Sequence, residues 1–234
     1  MARPWSLQKE LCGLAKTRTV DEALKRLGLM EAPCSKATLE EVHGWTRSGS
    51  ETFTYAFRLV LPDGAHELLL KAIVAFSLTR SLGELNNEWL QRRQLLASEG
   101  IKTPTLHYAG KALLVEQFIP KKLSNHLRRQ KAGTTRLVDQ VLQIAAVLER
   151  HEFCPISPFN GLRTDGADVF VVNFGQDLGP PACAKRHDGR LLKEAIQWLE
   201  DKSGRSVDRR RAKAVYAFHA EPHNHARTEG TTWS

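Results

Sequence analysis

The stretch Val169-Phe-Val-Val-Asn-Phe-Gly-Gln-Asp-Leu-Gly179 indicates the fold most directly. Its first four apolar residues predict a buried strand, which runs into an Asn-Phe-Gly turn at Asn173 and then reaches Asp177. A buried strand that ends in a small polar residue and a glycine typically brings a polar group to the rim of a binding site. We therefore expect Asn173 to stand at the rim of a functional site.

A period-two pattern of apolar residues lies upstream of this stretch. It predicts three antiparallel strands over residues 39–43, 52–61 and 67–76, and the last two are joined by a Pro-Asp-Gly turn. Lys71 is the only charged residue between Leu68 and Phe76. An unpaired buried ammonium is costly, so Lys71 either reaches water or meets a fixed anion, and both alternatives remain open at this point.

One helix and two further strands complete the region before residue 120. The helix is predicted from residue 82 to Gly100 by apolar residues on one face, with Glu84, Glu88, Arg92 and Arg93 around that face. Strands are predicted over residues 105–109 and 112–119. Five strands and one helix therefore precede residue 120.

The remainder of the chain is predicted to be mainly helical. Helices are expected over residues 123–129, 136–151 and 190–199, and around the basic run that follows Asp208. Two prolines exclude a helix interior between them in the irregular segment 151–166. Residues 5–29 predict two short helices that form a packing extension, and residues 219–234 predict a loose polar tail.

Composition limits the classes of protein that fit. The chain has 234 residues, 41% hydrophobic and 26% charged, and its net charge of +8 favours anionic partners. It contains no apolar run long enough for a membrane span, and it begins without a secretory signal, so the cytoplasm is the expected location. Four cysteines without ligand spacing are expected to be reduced thiols: Cys12, Cys34, Cys154 and Cys183.

The order of these features over residues 39–200 resembles the protein-kinase-like fold, in the compact bacterial branch of aminoglycoside phosphotransferases and lipopolysaccharide-core kinases. The resemblance implies an α+β fold with two lobes, namely a five-stranded antiparallel N-lobe sheet with one helix and a small, mainly helical C-lobe. The implied divisions are a helical extension at residues 1–38, an N-lobe at 39–120, a C-lobe at 121–218 and a flexible tail at 219–234.

The resemblance also implies roles for individual residues, with ATP and Mg²⁺ as cofactors. Lys71 matches the strand lysine that holds the α and β phosphates, and Glu88 matches the helix glutamate that orients this lysine. The other matched positions are Gly49 and Ser50 over the phosphates, Glu116 to Phe118 along the adenine, and Asn160 and Asn173 at the metal.

Two positions depart from the family pattern. The catalytic base is expected five residues before Asn160, where this chain has Pro155, and proline accepts no proton. The metal-binding aspartate of the family is replaced by Asn173, whose amide brings no charge. Three nearby residues are candidates to compensate: Asp177 as a metal ligand, and His151 or Glu152 as the proton acceptor.

Three functions follow from this pattern. The first is a phosphotransferase that moves a phosphoryl group from ATP to a hydroxyl of a small molecule or a protein. The second is a pseudokinase that acts as a nucleotide-binding or protein-interaction module. The third, nucleic-acid binding through the run Arg209 to Arg211, is disfavoured because the run has no interleaved aromatic residues.

Overall fold

A computed structural model of the chain describes residues 38–41, 47–48, 52–60, 67–75, 82–109, 113–130, 133–153, 155, 157–174, 178 and 189–221. The predicted helices of residues 5–29, the phosphate turn at Gly49 and Ser50, and Asp177 lie outside these residues. The predicted α+β content is confirmed. The chain divides into two compact units, which are residues 1–95, 103–120 and 174–176, and residues 96–102, 121–173 and 177–234.

The first unit contains an antiparallel sheet. Its described strands are β1 (Thr38–Glu41), β2 (Arg47–Ser48), β3 (Thr52–Val60), β4 (Glu67–Ala75), β5 (Leu106–Ala109) and β6 (Leu113–Gln117). Five of them follow the order β1-β3-β4-β6-β5, and β2 also pairs with β3. The apolar strand β4 is therefore central, and its Leu69 is 1% exposed. Lys71 in β4 pairs with Ala56 on one side and Leu114 on the other.

Helix α1 (Leu82–Ser98) separates β4 from β5 in the sequence and ends at a glycine. The amide of Gly100 donates to the carbonyl of Ala97, and the amide of Ile101 donates to that of Leu96, with Gly100 at a φ of +74°. This is a Schellman ending, which requires a left-handed residue. The sequence pattern had placed Arg92 and Arg93 among the charged residues around the apolar face, but the structure buries both of them.

The second unit contains a small sheet and four described helices. The strands are β7 (Lys121–Lys122), β8 (Arg163–Thr164) and β9 (Val169–Phe170), in the antiparallel order β7-β8-β9. The helices are α2 (Leu123–Arg129), α3 (Thr135–Arg150), α4 (Arg190–Ser203) and α5 (Arg209–Ala220). Several results differ from the sequence prediction. Lys121 and Lys122 form an unpredicted strand, and Arg163 and Thr164 form one in the segment expected to be irregular. Helix α4 continues four residues past the predicted end at Leu199, and α5 continues two residues into the expected tail.

Helix α3 forms the core of this unit. Eight of its sixteen residues are buried, because its apolar positions face several neighbouring elements. Near its end, the Glu149 carboxylate accepts hydrogen bonds from the amides of Gly189 and Leu191 at the start of α4, and from the hydroxyl of Tyr216 in α5. Burial and this hydrogen bond raise the pKa of Tyr216 well above its ordinary range. Glu149 therefore ties three helices together.

The basic run at the start of α5 is partly neutralised within the molecule. Asp208 caps the helix by accepting from the amides of Arg210 and Arg211 at 2.9 and 3.0 Å. The Arg211 guanidinium donates twice to Asp139, and Arg209 pairs with Glu200 at 2.7 Å. Within the part of the chain that the structure describes, no helix is both long and apolar enough to cross a membrane.

Candidate active site

The β8–β9 hairpin brings together the two asparagines that the sequence assigned to a metal. Arg163 pairs with Phe170 and Thr164 with Val169, so the residue numbers of each facing pair add up to 333. The described pairs end there: Asn160 lies in the turn before β8, where its amide donates to the carbonyl of Ser157, and Asn173 lies three residues after β9. The two predicted ligands therefore flank one hairpin.

The closed end of the hairpin is held by its own turn. One carboxylate oxygen of Asp165 accepts from the amides of Ala167 and Asp168, both at 2.8 Å, and Gly166 supplies a φ of +116°. Burial alone would raise the pKa of Asp165, but these backbone donors and the charge of Lys121 outweigh it and lower the pKa below its ordinary value. The turn therefore favours the ionised carboxylate.

Helix α3 fixes the hairpin from outside. Gln140 donates to the Asp168 carboxylate at 2.7 Å and accepts from the amide of Val169 at 2.8 Å, and Arg136 also donates to Asp168 at 2.6 Å. Arg163 in β8 is 6% exposed, and burial lowers its pKa to about 10. The strand ends that carry the two asparagines are thus supported by the best-buried helix of the unit.

Gly161, in the turn before β8, lies close to the Asn173 side chain. A Cβ atom built at Gly161 would lie 2.9 Å from Nδ2 of Asn173, closer than real Cβ contacts come. The Asn173 carboxamide therefore packs against the backbone of the residue that follows Asn160. Any larger side chain at position 161 would displace it.

Trp198 in α4 holds the other asparagine. Its indole Nε1–H donates to Oδ1 of Asn160 at 3.1 Å, and its ring lies 5.9 Å from that of Phe159 with an interplanar angle of 49°. Asn160 itself is exposed, so this contact orients a side chain that solvent would otherwise leave mobile. The sequence analysis assigned no role to Trp198, because no local pattern relates it to Asn160.

The residues near the expected catalytic base are engaged elsewhere. Pro155 is buried. Nε2 of His151 lies 2.7 Å from Oε1 of Glu99, and Arg150 forms an ion pair with the same carboxylate. Glu152 is exposed and has a φ of +56°, and it ends α3 in a Schellman motif with the amide of Phe153 on the carbonyl of Leu148. The His151 side chain is thus engaged with Glu99, whereas Glu152 contributes to the helix end through its backbone.

Glu99 is electrostatically stabilised by this cluster. Burial raises its pKa, but the hydrogen bonds from His151 and Arg150, together with their charges, outweigh burial and lower the pKa below its ordinary value. The guanidinium of Arg150 also donates to the carbonyls of His219 and Glu221 at 2.9 Å. The cluster therefore joins the segment after α1 to the end of α5.

In the first unit, Glu88 lies in α1 and forms an ion pair with Arg92 one turn later. The Glu88 side chain is 27% exposed. Lys71 is placed by its backbone in the central strand, and its side chain lies outside the described residues. The predicted pairing of Lys71 with Glu88 thus stays a prediction.

The expected adenine-binding segment begins inside the sheet. Glu116 in β6 is fully buried, and its Oε2 accepts from Arg93 at 2.9 Å. The amide of Gln117 donates to the carbonyl of Thr105 at 2.8 Å. Phe118 is the first residue after β6 and is half-buried. The Glu116 side chain therefore serves the sheet–helix contact.

Phe174, the last described residue before position 178, is held by two consecutive arginines of α1. Nη1 of Arg92 donates to the Phe174 carbonyl at 3.1 Å, and the Arg93 guanidinium lies 5.2 Å from the centre of its ring. The charged face that sequence periodicity suggested for α1 is in fact a buried attachment for Phe174. Only the four-residue spacing of Glu88 and Arg92 gave a sequence-level indication of it.

The metal fit rests on amide oxygens. Asn160 and Asn173 can each offer a carbonyl oxygen, which Mg²⁺ accepts, but neither brings the negative charge of its usual carboxylate ligands. The described residues contain no group of three or more His, Cys, Asp or Glu placed to hold a metal ion. These two asparagines therefore fit Mg²⁺ that takes its other ligands from phosphate and water, rather than a metal held by the protein alone.

Comparison with known proteins gives matches among solved structures. The sequence matches no protein-family model and no curated protein. Matching solved structures include the Rio2 kinase-ADP/Mg²⁺-phosphoaspartate complex from Chaetomium thermophilum, with 12% sequence identity and a TM-score of 0.44. The match covers 79% of this chain and 62% of that chain, so the protein spans less than two thirds of the Rio2 kinase structure.

Proposed function

We propose that the protein is a pseudokinase-like nucleotide-binding protein of the protein-kinase-like fold, with an N-lobe at residues 39–120 and a C-lobe at residues 121–218. One observation carries the proposal: the Asn173 side chain packs against Gly161, the residue that follows Asn160. This contact supports a common ligand for the two residues that the kinase resemblance assigns to the metal.

The nucleotide would be ATP, held by the residues that match the family roles. Lys71 would contact the α and β phosphates with Glu88 as its orienting partner, and Gly49 and Ser50 would cover the phosphates. Glu116 to Phe118 would follow the adenine edge. The central position of β4 and the partial exposure of Glu88 support this assignment.

Mg²⁺ would be held by Asn160, Asn173 and Asp177, together with phosphate oxygens. When bound, the metal neutralises charge on the phosphates. The chain's own contribution is to fix two neutral amides on one hairpin, the first through Trp198 and the second through Gly161. This arrangement supports weak, nucleotide-dependent metal binding.

The surroundings of the base position favour a pseudokinase over an active enzyme. Pro155 is buried and accepts no proton, and the His151 side chain contacts Glu99, which leaves the exposed carboxylate of Glu152 as the candidate base among these three positions. The alternative is a phosphotransferase that acts on a hydroxyl of a small molecule or a protein. The position of Asn173 against Gly161 is compatible with both functions, because phosphoryl transfer depends mainly on positioning and charge neutralisation.

Thermal unfolding tests nucleotide binding. A ligand at 100 times its Kd stabilises the native state by about 2.7 kcal/mol, which raises the melting temperature of a chain of this size by roughly 5–10 °C. We expect ATP with Mg²⁺ to produce such a shift and Lys71→Ala to remove it. Lys193→Ala, which deletes an exposed lysine of α4, is the matched control and keeps the shift. The absence of any shift at millimolar nucleotide would refute both ATP-binding functions.

Incubation with γ-labelled ATP separates the two candidates. If the protein is a pseudokinase, the wild type transfers no label to itself or to water. The Asn173→Asp variant restores one metal-binding carboxylate, so it is expected to allow transfer. Label transfer by the wild-type protein at a rate similar to that of Asn173→Asp would instead establish the phosphotransferase.

A further inference from the structure

Arg92 joins two parts of the first unit that the sequence keeps far apart. Its Nη2 forms an ion pair with Oε1 of Glu88, and its Nη1 donates to the carbonyl of Phe174 at 3.1 Å. A single planar guanidinium thus bridges the helix carboxylate and the turn that follows Asn173. Arg92 is 8% exposed, so both contacts are made in a largely desolvated setting.

Arg93 fixes the same turn from a second direction. Its guanidinium faces the Phe174 ring at 5.2 Å, and its Nη1 donates to Glu116 at 2.9 Å. The carbonyl and the ring of Phe174 are therefore each held by a different arginine. Displacing the turn would require both buried guanidinium groups to find new partners, which is costly.

We propose that Arg92 is a positioning residue of the nucleotide site, which holds the Glu88 carboxylate in an orientation set by the Asn-Phe-Gly turn. This inference rests on the proposed function, because it takes Lys71 and Glu88 as the nucleotide-binding pair. A carboxylate has two oxygens and accepts several hydrogen bonds, so a contact of Arg92 with Oε1 is compatible with a second cation on Glu88. Arg92 touches no nucleotide itself and acts through Glu88.

Arg92 is expected to increase nucleotide affinity because orienting a partly exposed glutamate costs free energy. A glutamate side chain loses considerable rotamer freedom when it is fixed in one geometry. Arg92 fixes it before ligand binding, because its own position is determined by Phe174 and by burial. The nucleotide then binds a preorganised carboxylate, and preorganisation increases affinity.

The test compares the affinity for ADP with Mg²⁺ among variants by isothermal titration calorimetry. Arg92→Gln is expected to weaken binding about tenfold, whereas Gln91→Ala, at an exposed position of the same helix, leaves it unchanged. Leu142→Ala in the core of α3 serves as the stability control, since it lowers the melting temperature without touching the site. Arg92→Lys keeps a cation near Glu88 and is expected to recover most of the affinity.

A double-mutant cycle tests whether Arg92 affects nucleotide affinity through Glu88. If Arg92 acts through Glu88, adding Arg92→Gln to Glu88→Gln causes no further loss of affinity. Three results would each overturn the inference while leaving nucleotide binding intact. They are full additivity of the two affinity losses, an affinity loss in Arg92→Gln no larger than that in Leu142→Ala, and an Arg92→Lys variant that binds ADP as weakly as Arg92→Gln. A wild-type protein that binds no ADP would overturn the proposed function and the inference together.

Discussion

The indole nitrogen of Trp198 donates a hydrogen bond to Oδ1 of Asn160 at 3.1 Å. The two residues belong to α4 and to the turn before β8 in the same unit, and the ring contact of Trp198 with Phe159 supports the hydrogen bond. A donor on Oδ1 selects one of the two orientations of the carboxamide. The helix α4 thereby determines how Asn160 presents its oxygen.

Trp198→Phe is expected to retain the contact with Phe159 and lose only the donor. We predict a loss of about 1 kcal/mol in the free energy of unfolding, typical for one hydrogen bond. The affinity for ADP is expected to fall about fivefold in the presence of Mg²⁺, a loss of about 1 kcal/mol, and to stay unchanged in EDTA. Calorimetric titration in both conditions checks this. Equal losses with and without the metal would show that Trp198 supports only the fold.

Gly161→Ala is expected to disturb the candidate metal site with little loss of stability. The added Cβ would lie 2.9 Å from Nδ2 of Asn173, and the end of that side chain can rotate away. An altered side-chain rotamer costs on the order of 1 kcal/mol. We therefore predict a small decrease in melting temperature and the loss of most of the Mg²⁺-dependent increase in ADP affinity.

The same substitution in an Asn173→Ala background provides the control. The steric conflict is absent there, so Gly161→Ala should change neither stability nor ligand affinity further. A comparable loss in both backgrounds would mean that Gly161 is required by its own backbone and not by Asn173.

Glu99→Gln is expected to destabilise the protein in a pH-dependent manner. The folded-state pKa of Glu99 is lowered, so its contribution is fully present above the unfolded-state pKa of about 4.3 and is lost as the pH falls through the folded-state pKa. We predict a difference of about 2 kcal/mol between wild type and variant near neutral pH, based on charge-assisted hydrogen bonds to Arg150 and His151. This difference should shrink below about pH 4.

Denaturant unfolding from pH 3 to 7 measures this difference. Glu152→Gln removes the same charge at an exposed position nearby and should leave stability almost unchanged at every pH. If the difference in unfolding free energy between the wild type and Glu99→Gln were constant over this pH range, it would contradict the assigned ion pair.

The main elements were predictable because their periodicity is long and regular. The predicted helix over residues 136–151 corresponds to α3 at Thr135–Arg150, and the predicted strand over residues 67–76 corresponds to β4 at Glu67–Ala75. The β8 strand was missed because two residues are too few to show a period-two pattern. The turn residues Asp165 and Gly166 were its only local indication.

The contacts of the candidate site were less accessible to sequence reasoning. Helical periodicity assigns charged residues to the surface, and the burial of Arg92 and Arg93 depends on Glu116 and Phe174, which are distant in the sequence. The same holds for Trp198, whose partner Asn160 lies on another element. Motif resemblance located the asparagines, whereas the side chains that orient them are specified only by tertiary packing.

Glu152→Gly is expected to stabilise the protein. Glu152 ends α3 with a φ of +56°, a left-handed conformation that costs a residue with a Cβ roughly 1–2 kcal/mol and that glycine adopts freely. Glycine also loses more entropy on folding, so the expected net gain is about 0.5–1 kcal/mol in the free energy of unfolding. Glu152→Ala keeps the Cβ and serves as the matched control, with no gain expected. If Glu152 serves only to end the helix, any label transfer by Asn173→Asp should persist when Glu152→Gly is added. Abolition of that transfer, in a variant that folds with unchanged or increased stability, would instead identify Glu152 as the proton acceptor.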